Sequence, residues 1–588
     1  MGTPVRPDEG AFGNTHCRFN IAFAAFVLVF SAIPLWLPPL APNASGWVTA
    51  AIFAAIGLAW LLIAACAIFN FRQLMRMPVM RPDALPAARG RRFRHIVMIP
   101  CYKDPVELLF DCLCSLLAQE NPSHLVVVIA FEARTPELEQ KQAAVRAHFE
   151  GRFGRLICNV HTLDPSREIP GKCSNTNSAL RAAHQILFSD GKGEAYAHTV
   201  TTCDTDSLFH PSYFSVLEAC YNEENPRLGQ PPAMLVWQPA LFYNWHLHRR
   251  PVFTRVTGVV RAMRMLGGLI PFGLNPMSIF SYPLELGAST GFINPRYSVE
   301  DIIFQVRAIC QTSAAVPLRL LPVPVISGPT MGSSYAEDFY EWQLQLRRWA
   351  MGSAEAAHYF IIHWRGTPLL GGLRWFLCFT AYYAILLCSS APFCIIASLP
   401  FPWATFPHVQ VAQWQVSLQY AGLFALACQY AAFTAAFAMD RLAVRLLTVD
   451  DHVHPLRNLV HLALALVVLI GYGLFAFYAV MRFVVRGKRD AGHVMAAKVG
   501  FAAANTNRLS EAVLQEHEAQ KPVGELPLLR TSFSVRSSAH SAPLPVDGSG
   551  TALALVGDTR PAYELPDLFR FGAFEFNPKP QPFMGSDV

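Results

Sequence analysis

The chain has 588 residues, of which 53% are hydrophobic and only 15% are charged, and its mean hydropathy is +0.29. Because soluble proteins carry about a quarter charged residues, this composition excludes an ordinary soluble protein. The formal net charge of +6 comes mostly from arginines that flank apolar segments, and it gives no reason to expect a nucleic-acid partner. The 14 cysteines show no zinc-type spacing and fit a reducing, cytosolic compartment.

The N-terminal part of the chain predicts two membrane-spanning helices. Two apolar stretches, 19–41 and 46–69, each have about the 20 residues that are needed to cross a bilayer. Seven arginines follow between positions 72 and 94, and the positive-inside rule places them in the cytosol. We therefore expect an N-terminal cytosolic segment, 1–18, and two transmembrane helices within 19–70. A cleaved signal peptide is the alternative for the first stretch, whose apolar part is longer than a signal-peptide core.

The C-terminal half contains three further apolar blocks, at about 375–399, 413–438 and 457–482. They predict a transmembrane region over residues 366–485 with three or more helices. Five crossings from a cytosolic N-terminus would leave the basic run after the last block outside the cytosol, against the positive-inside rule. Either one block is re-entrant or the chain crosses once more. The remaining residues, 489–588, contain stretches rich in Ser, Pro and Gly and predict a mostly disordered tail.

The middle of the chain, residues 93–365, has the pattern of a soluble α/β domain. The runs "RHIVMIP", "HLVVVIAFE", "RLICNVHTL" and "HTVTTCDTD" are typical of strands, and helical patterns separate them. Strands that alternate with helices predict βαβ units and a parallel sheet. In such sheets, ligands bind beyond the carboxyl ends of the strands.

Charged residues are predicted at that edge of the sheet. Asp204 and Asp206 end the fourth strand two residues apart, so we expect both side chains on one face. Glu132 ends the second strand, and Lys172 stands at the entrance of a helix. Carboxylates, a lysine and a helix N-terminus suit a phosphate-bearing ligand with a divalent cation. Each residue alone also fits a solvated loop or helix end.

A second group of candidate residues follows later in the domain. Glu300 and Asp301 open a helix, where carboxylates can also serve only to complement the helix dipole. Farther on, the run "QLRRW" contains Gln345, Arg348 and Trp349. A tryptophan beside arginines can stack a sugar ring and hold a pyrophosphate, although packing with a surface charge is the simpler interpretation.

The order of these motifs resembles the family 2 inverting glycosyltransferases, in particular the membrane-embedded branch that includes cellulose, chitin and hyaluronan synthases. The matching pieces are "VMIPCYKDP", "GKCSNTNSAL", "DTD", "VED" and "QLRRW". The resemblance covers about residues 93–365, and the apolar spans more loosely. It implies an α/β, Rossmann-like GT-A catalytic domain in the cytosol, inserted between α-helical transmembrane segments.

The resemblance also implies a role for each residue. The expected reaction is inverting, metal-dependent transfer from a nucleotide sugar, expected to be a UDP-sugar, to build a β-linked polysaccharide at a membrane. Asp301 would be the catalytic base, and Trp349 would bind the acceptor. The residues that would bind the donor nucleotide are Glu132, Lys172, Asp204, Gln345 and Arg348. Asp206, together with Asp204, would hold Mg²⁺ or Mn²⁺.

Several positions depart from the family pattern. Glu132 stands where Asp is usual, "VED" lacks the usual Thr, and residues 281–301 lack an arginine-rich stretch. The run "FVVRGK" at 483–488 is faintly similar to a gating loop of cellulose synthases, with Arg486 in place of Thr. The aromatic residues Trp375, Phe376, Tyr382 and Tyr383 can line a sugar path, although an interfacial belt together with packing is the simpler interpretation.

Two other functions remain open from the sequence. The first is non-processive transfer of one sugar to a lipid acceptor, and the second is a transporter or receptor with an inactive glycosyltransferase-like domain. In each case we expect an integral membrane protein of the plasma membrane, Golgi or ER, in contact with membrane lipids. The expected partners are a nucleotide-sugar donor and a saccharide or lipid acceptor.

Overall fold

The computed structural model describes residues 21–76, 91–189, 196–227, 231–243, 247–312, 315–329, 332, 334–399, 411–447 and 453–486. The predicted cytosolic segment 1–18 and the predicted tail 489–588 lie outside the described residues, as do the last two residues of "FVVRGK".

The described strands form one eight-stranded sheet in the order β3-β2-β1-β4-β7-β6-β8-β5. The strands are β1 Phe93–Cys101, β2 Leu125–Glu132, β3 Arg155–His161, β4 Ala197–Thr202, β5 Ser207–Phe209, β6 Val236–Phe242, β7 Phe280–Pro283 and β8 Leu318–Ser327. Strand β2 is buried at every position because helices cover both faces of this part of the sheet, and its β-branched run suits such a place.

The predicted α/β class is confirmed, but the prediction of a parallel sheet is only partly right. Strands β1 to β4 pair with one another in parallel, and β6 pairs with β8 in parallel. Strand β7 runs antiparallel between β4 and β6, and β5 runs antiparallel to β8. The four strands predicted from the sequence therefore form the parallel half, and the later strands make the sheet mixed.

The helices surround this sheet and continue into an apolar bundle. They are α1 Ile21–Ser31, α2 Ile33–Leu40, α3 Ser45–Arg76, α4 Val106–Leu117, α5 Leu138–Phe149, α6 Lys172–Phe188, α7 Tyr213–Glu224, α8 Val252–Arg264, α9 Ile270–Phe272, α10 Leu284–Thr290, α11 Glu300–Thr312, α12 Tyr335–His363, α13 Leu369–Thr380, α14 Ser390–Ser398, α15 Val411–Leu447, α16 Pro455–Ala463 and α17 Ala465–Arg486. Two π-helical segments, Met265–Leu269 and Ala381–Ser389, join α8 to α9 and α13 to α14.

Four of the described helical stretches are long and apolar enough to cross a membrane. They are Ser45–Arg76, Leu369–Ser398, Leu418–Val444 and Ala465–Arg486. The first predicted span is instead a pair of helices, α1 and α2, bent by 70°, which makes a fifth span if the pair crosses as one. Large apolar side chains such as Leu58, Leu423 and Val467 are exposed on these helices, as lipid contact requires.

The bundle and the α/β region share one apolar core, and the π-helical segment after α8 joins them closely. A Cβ atom added to Gly267 would lie 1.8 Å from the carbonyl oxygen of Ile63 in α3. A hydrogen bond also links the two elements, because Asn70 Nδ2 donates to the carbonyl oxygen of Leu266 at 2.6 Å. Small residues that let backbones approach are typical of packed membrane helices.

We predict that Gly267→Ala separates this segment from α3 and destabilises the protein by about 1–3 kcal/mol, the usual cost of overpacking. The matched control is Gly422→Ala, because an added Cβ there meets nothing within 4 Å. Thermal melting of the purified protein in detergent should show a lower melting temperature for Gly267→Ala and little change for Gly422→Ala. Equal melting temperatures would contradict the close contact.

Candidate active site

The two aspartates of "DTD" lie in a turn rather than on a strand. Strand β4 ends at Thr202, and the turn is closed by Asp204, whose amide donates to Ser207 Oγ at 3.0 Å while its carbonyl oxygen accepts from the Ser207 amide at 3.1 Å. The prediction that both aspartates belong to the strand is therefore wrong. The side chain of Asp204 is 29% exposed, whereas Asp206 is buried.

Lys172 joins this turn to a distant part of the chain. It is the first residue of α6 and follows Gly171, whose φ of 152° and ψ of −169° lie in a region that almost only glycine adopts. The Lys172 ammonium lies 2.7 Å from Asp204 Oδ1 and also forms an ion pair with Glu300 Oε1 at the start of α11. One cation thus connects the turn after β4 to the "VED" motif.

The charges of this cluster shift one another's protonation. Burial alone would lower the pKa of Lys172, but the carboxylates of Asp204 and Glu300 outweigh it and raise that pKa. Burial raises the pKa of Glu300 to about 7. The charge of Lys172 lowers this pKa, whereas the neighbouring carboxylate of Asp301 raises it. The lysine therefore stays charged, while Glu300 takes up a proton more readily than an exposed glutamate.

Asp301 is held in a fixed position beside this ion pair. Its Oδ2 accepts from the amide of Ser278 at 3.1 Å, and its Oδ1 accepts from the amide of Ile302 at 2.8 Å. Ser278 has a φ of 49°, an uncommon value for a residue other than glycine, and such strain often occurs at functional sites. Burial raises the pKa of Asp301 despite these hydrogen bonds, which suits a group that accepts a proton.

The described residues do not contain a preformed cluster of three or more His, Cys, Asp or Glu side chains that could hold a metal ion. Asp206 accepts a hydrogen bond from Ser327 Oγ at 3.2 Å, and Asp204 is engaged by Lys172. A divalent cation such as Mg²⁺ needs only one or two carboxylates where substrate phosphates and water complete its coordination. The oxygen donors of the "DTD" turn fit such an ion.

Helix α12 brings part of the "QLRRW" motif to the same place. Burial lowers the pKa of Arg348, and the negative charges of Glu300 and Asp204 oppose this effect. The Nε of Arg348 is buried and has no hydrogen-bond partner among the described residues, as expected for a donor that awaits an anionic ligand. Gln345 lies one turn earlier on α12 and is half-buried.

Trp349 and Glu132 already have partners. The guanidinium carbon of Arg261 lies 3.8 Å from the centroid of the Trp349 ring and covers one face of it. Glu132, at the end of β2, is buried and forms an ion pair with Arg134. A sugar that stacks on the covered face of Trp349 would have to displace Arg261.

A small cavity of about 50 Å³ lies beside Asp301 and Trp349 and reaches the apolar helices. Tyr382 and Tyr383 line it and are buried, in agreement with the predicted packing. Trp375 is also buried, and its Nε1 donates to the carbonyl oxygen of Leu274 at 2.8 Å. Phe376 stacks on Phe360.

The structure therefore brings Lys172, Asp204, Asp301 and Arg348 into one electrostatic cluster. No recorded contact joins Glu132 or Gln345 to it within the described residues. Glu300 is a direct partner of Lys172, although its place in the sequence fits a helix cap equally well. The cavity is also difficult to predict from the sequence. Its one sequence signal is a pair of arginines, Arg261 and Arg264, that lie one turn apart on a largely apolar helix.

Comparison with protein-family models finds no match, and neither does comparison with curated proteins. Among solved structures, the chain is similar to the mannosyltransferase PcManGT from Pyrobaculum calidifontis in complex with GDP-Man and Mn²⁺, with 14% identity, a TM-score of 0.35 and coverage of 66% of this chain and 99% of that one. It is also similar to S. aureus TarS 1-349 in complex with UDP-GlcNAc, with 16% identity, a TM-score of 0.29 and coverage of 68% and 93%. At this level of similarity neither structure supports an argument, so the function is inferred from the chain's own residues.

We predict that Glu300→Gln changes the pH dependence of stability. Because the pKa of Glu300 is about 7 in the folded protein and near 4.5 when unfolded, the folded state binds more protons between these values. The stability of the wild type relative to Glu300→Gln should therefore fall as the pH rises from about 5 to about 7, by up to about 1.4 kcal/mol per pH unit.

Melting temperatures of both proteins over this pH range measure the effect. Glu139→Gln, an exposed carboxylate on α5, reports how much of the change comes from removing any glutamate. A wild-type advantage that grows with pH would contradict the assignment.

Proposed function

We propose that the protein is an inverting glycosyltransferase of the GT-A type that uses a nucleotide-sugar donor, expected to be a UDP-sugar, at a membrane. The observation that carries this proposal is the Lys172 ion pair, which gathers Asp204 and Glu300 beside Asp301. Lys172, Asp204 and Glu300 lie in separate segments of the chain. If each residue had only a local structural role, such as capping a helix, the three would not need to be in contact.

The positive side chains of the cluster act on the donor. Lys172 and Arg348 add positive charge where the diphosphate leaves, and preorganised charge of this kind stabilises a departing anion. Asp204 and Asp206 would hold Mg²⁺ or Mn²⁺, which neutralises phosphate charge when it is bound. Gln345 is proposed to donate a hydrogen bond to the donor, and Glu132 to orient its nucleoside.

Asp301 acts on the acceptor. As the acceptor hydroxyl attacks the anomeric carbon, the Asp301 carboxylate takes its proton, and the bond from that carbon to the nucleotide diphosphate breaks. Attack from the face opposite the leaving group inverts the anomeric centre. The backbone hydrogen bonds from Ser278 and Ile302 fix the carboxylate so that little reorganisation accompanies the transfer.

The apolar helices support the proposed location, an integral membrane protein of the plasma membrane, Golgi or ER with its catalytic region in the cytosol. Repeated transfer would build a β-linked polysaccharide, and a single transfer would glycosylate a lipid. The cavity beside Asp301 favours an acceptor that reaches the site from the helices. A transporter or receptor would leave the buried charge cluster without a purpose.

We predict that Asp301→Asn lowers the transfer rate by about 10²–10⁴-fold, the usual contribution of a general base. The detergent-purified protein is incubated with a panel of UDP-sugars and GDP-sugars and with Mg²⁺ or Mn²⁺. Nucleotide release gives the rate, and product size separates a polymer from a single transfer. Glu139→Gln on α5 is the control and should retain the wild-type rate.

The outcome that would reject the proposal is nucleotide release from no donor by the wild type. Equal rates for wild type and Asp301→Asn would instead remove Asp301 from the role of base.

We predict that chelation of divalent cations abolishes most nucleotide release, because the "DTD" turn supplies only two carboxylates and the phosphates need further neutralisation. Activity is measured after treatment with EDTA and after addition of excess Mn²⁺ or Mg²⁺. Restoration of nucleotide release by either ion supports a metal site at the "DTD" turn. In Asp204→Asn, the added ion should restore less activity. An unchanged rate in EDTA would show that Lys172 and Arg348 suffice.

A further inference from the structure

The cavity beside Asp301 extends from the proposed site of transfer to the membrane helices. Asp301 and Trp349 line one part of it. Leu387, Leu469 and Tyr472 line another part and belong to helical stretches that are long enough to cross a membrane. The same cavity is therefore bordered by the carboxylate that is proposed to act as base and by apolar helices.

Two cations line the same cavity. Arg261 and Arg264 lie one turn apart on α8, and Arg264 is only 7% exposed. Among the described residues, both guanidinium groups lie over aromatic rings, and Asp301 is the one carboxylate of the cavity wall. A buried cation is costly unless an anion or hydrogen-bond acceptors compensate it.

Aromatic rings compensate part of this cost. The guanidinium of Arg264 lies 4.8 Å from the ring centroid of Trp60 and 5.5 Å from that of Tyr472. Such contacts stabilise a cation and leave its N–H groups directed along the ring plane or into open space. The close contact of Gly267 with Ile63 holds this end of α8 against α3, so the position of Arg264 is fixed by the fold.

The arrangement selects the chemistry of a ligand. Guanidinium groups match the oxygens of a phosphate, and apolar walls match acyl chains. Arg261 also covers one face of Trp349, and a saccharide that stacks on that face would have to displace it.

We infer that an acceptor of this enzyme is a phospholipid with a free hydroxyl in its head group. Its phosphate binds Arg261 and Arg264, its chains lie toward Leu469 and Leu387, and its hydroxyl points to Asp301. The inference rests on the proposed function. In the reaction, the hydroxyl oxygen bonds to the anomeric carbon as the carbon–oxygen bond to the nucleotide diphosphate breaks. The electron pair of that bond leaves with the nucleotide, the hydroxyl proton goes to Asp301, and the phosphodiester is unchanged.

To test this acceptor, the full-length protein is placed in lipid nanodiscs and supplied with the donor that gives the most nucleotide release. One set contains phosphatidylcholine alone, and three others add phosphatidylglycerol, diacylglycerol or phosphatidic acid. Mass spectrometry of the lipids should detect glycosylated phosphatidylglycerol and no product from the other lipids. Equal glycosylation of diacylglycerol, which lacks the phosphate, would overturn the inference, as would a product from phosphatidic acid, which lacks the hydroxyl.

A variant isolates the contribution of the arginine. Arg264→Gln should lower glycosylation of phosphatidylglycerol by at least about tenfold, since a charge-assisted contact to phosphate is lost, while slow hydrolysis of the donor by water continues. Arg264→Lys should retain an intermediate rate. Arg146→Gln, an exposed arginine on α5, is the control and should match the wild type.

Binding without turnover supplies an independent measurement. Native mass spectrometry of the wild type should show tighter binding of phosphatidylglycerol than of diacylglycerol, even if Arg264→Gln fails to fold. Equal binding would overturn the inference. If the wild type releases nucleotide but glycosylates none of these lipids, the inference is wrong and the proposed function stands. If no donor releases nucleotide, both are wrong.

Discussion

The rest of the site depends on the ammonium of Lys172 and the two carboxylates that it binds. Asp204, Glu300 and Asp301 come from two separate segments, and three carboxylates this close would repel one another without a cation between them. The ion pairs tie the start of α6, the turn after β4 and the start of α11 together. Because these charges are already in place without a ligand, little reorganisation would accompany binding of the proposed donor diphosphate.

A second constraint connects this cluster to the long apolar helices. Both π-helical segments border the cavity, since Met265–Leu269 contributes Leu269 and Ala381–Ser389 contributes Tyr382, Tyr383 and Leu387. A π-helical turn contains an extra residue, which changes the direction of the side chains that follow, and such turns are frequent at functional sites. The shape of the cavity therefore depends on two local departures from regular α-helix.

Much of the fold follows from local patterns in the sequence. The first four strands, the apolar helices and the entry of Lys172 into a helix are all visible as periodicity and β-branched runs. The turn at Asp204 was missed because a hydrogen bond from its amide to the Ser207 side chain competes with strand pairing. The antiparallel strands and the pairing of Glu300 with Lys172 depend on contacts between residues far apart in the chain, which no local pattern reports.

The two arginines of α8 illustrate the same limit, and they also bear on the proposed base. An arginine on an amphipathic helix predicts a solvated face, but packing of α8 against the long apolar helices buries Arg264. The charge of Arg261 lowers the pKa of Asp301, and burial acts in the opposite direction and is the larger effect. A phosphate bound to Arg261 offsets that positive charge, so the pKa of Asp301 rises further when the inferred acceptor binds. The acceptor therefore strengthens the base that deprotonates it, which couples recognition of the phosphate to the chemical step.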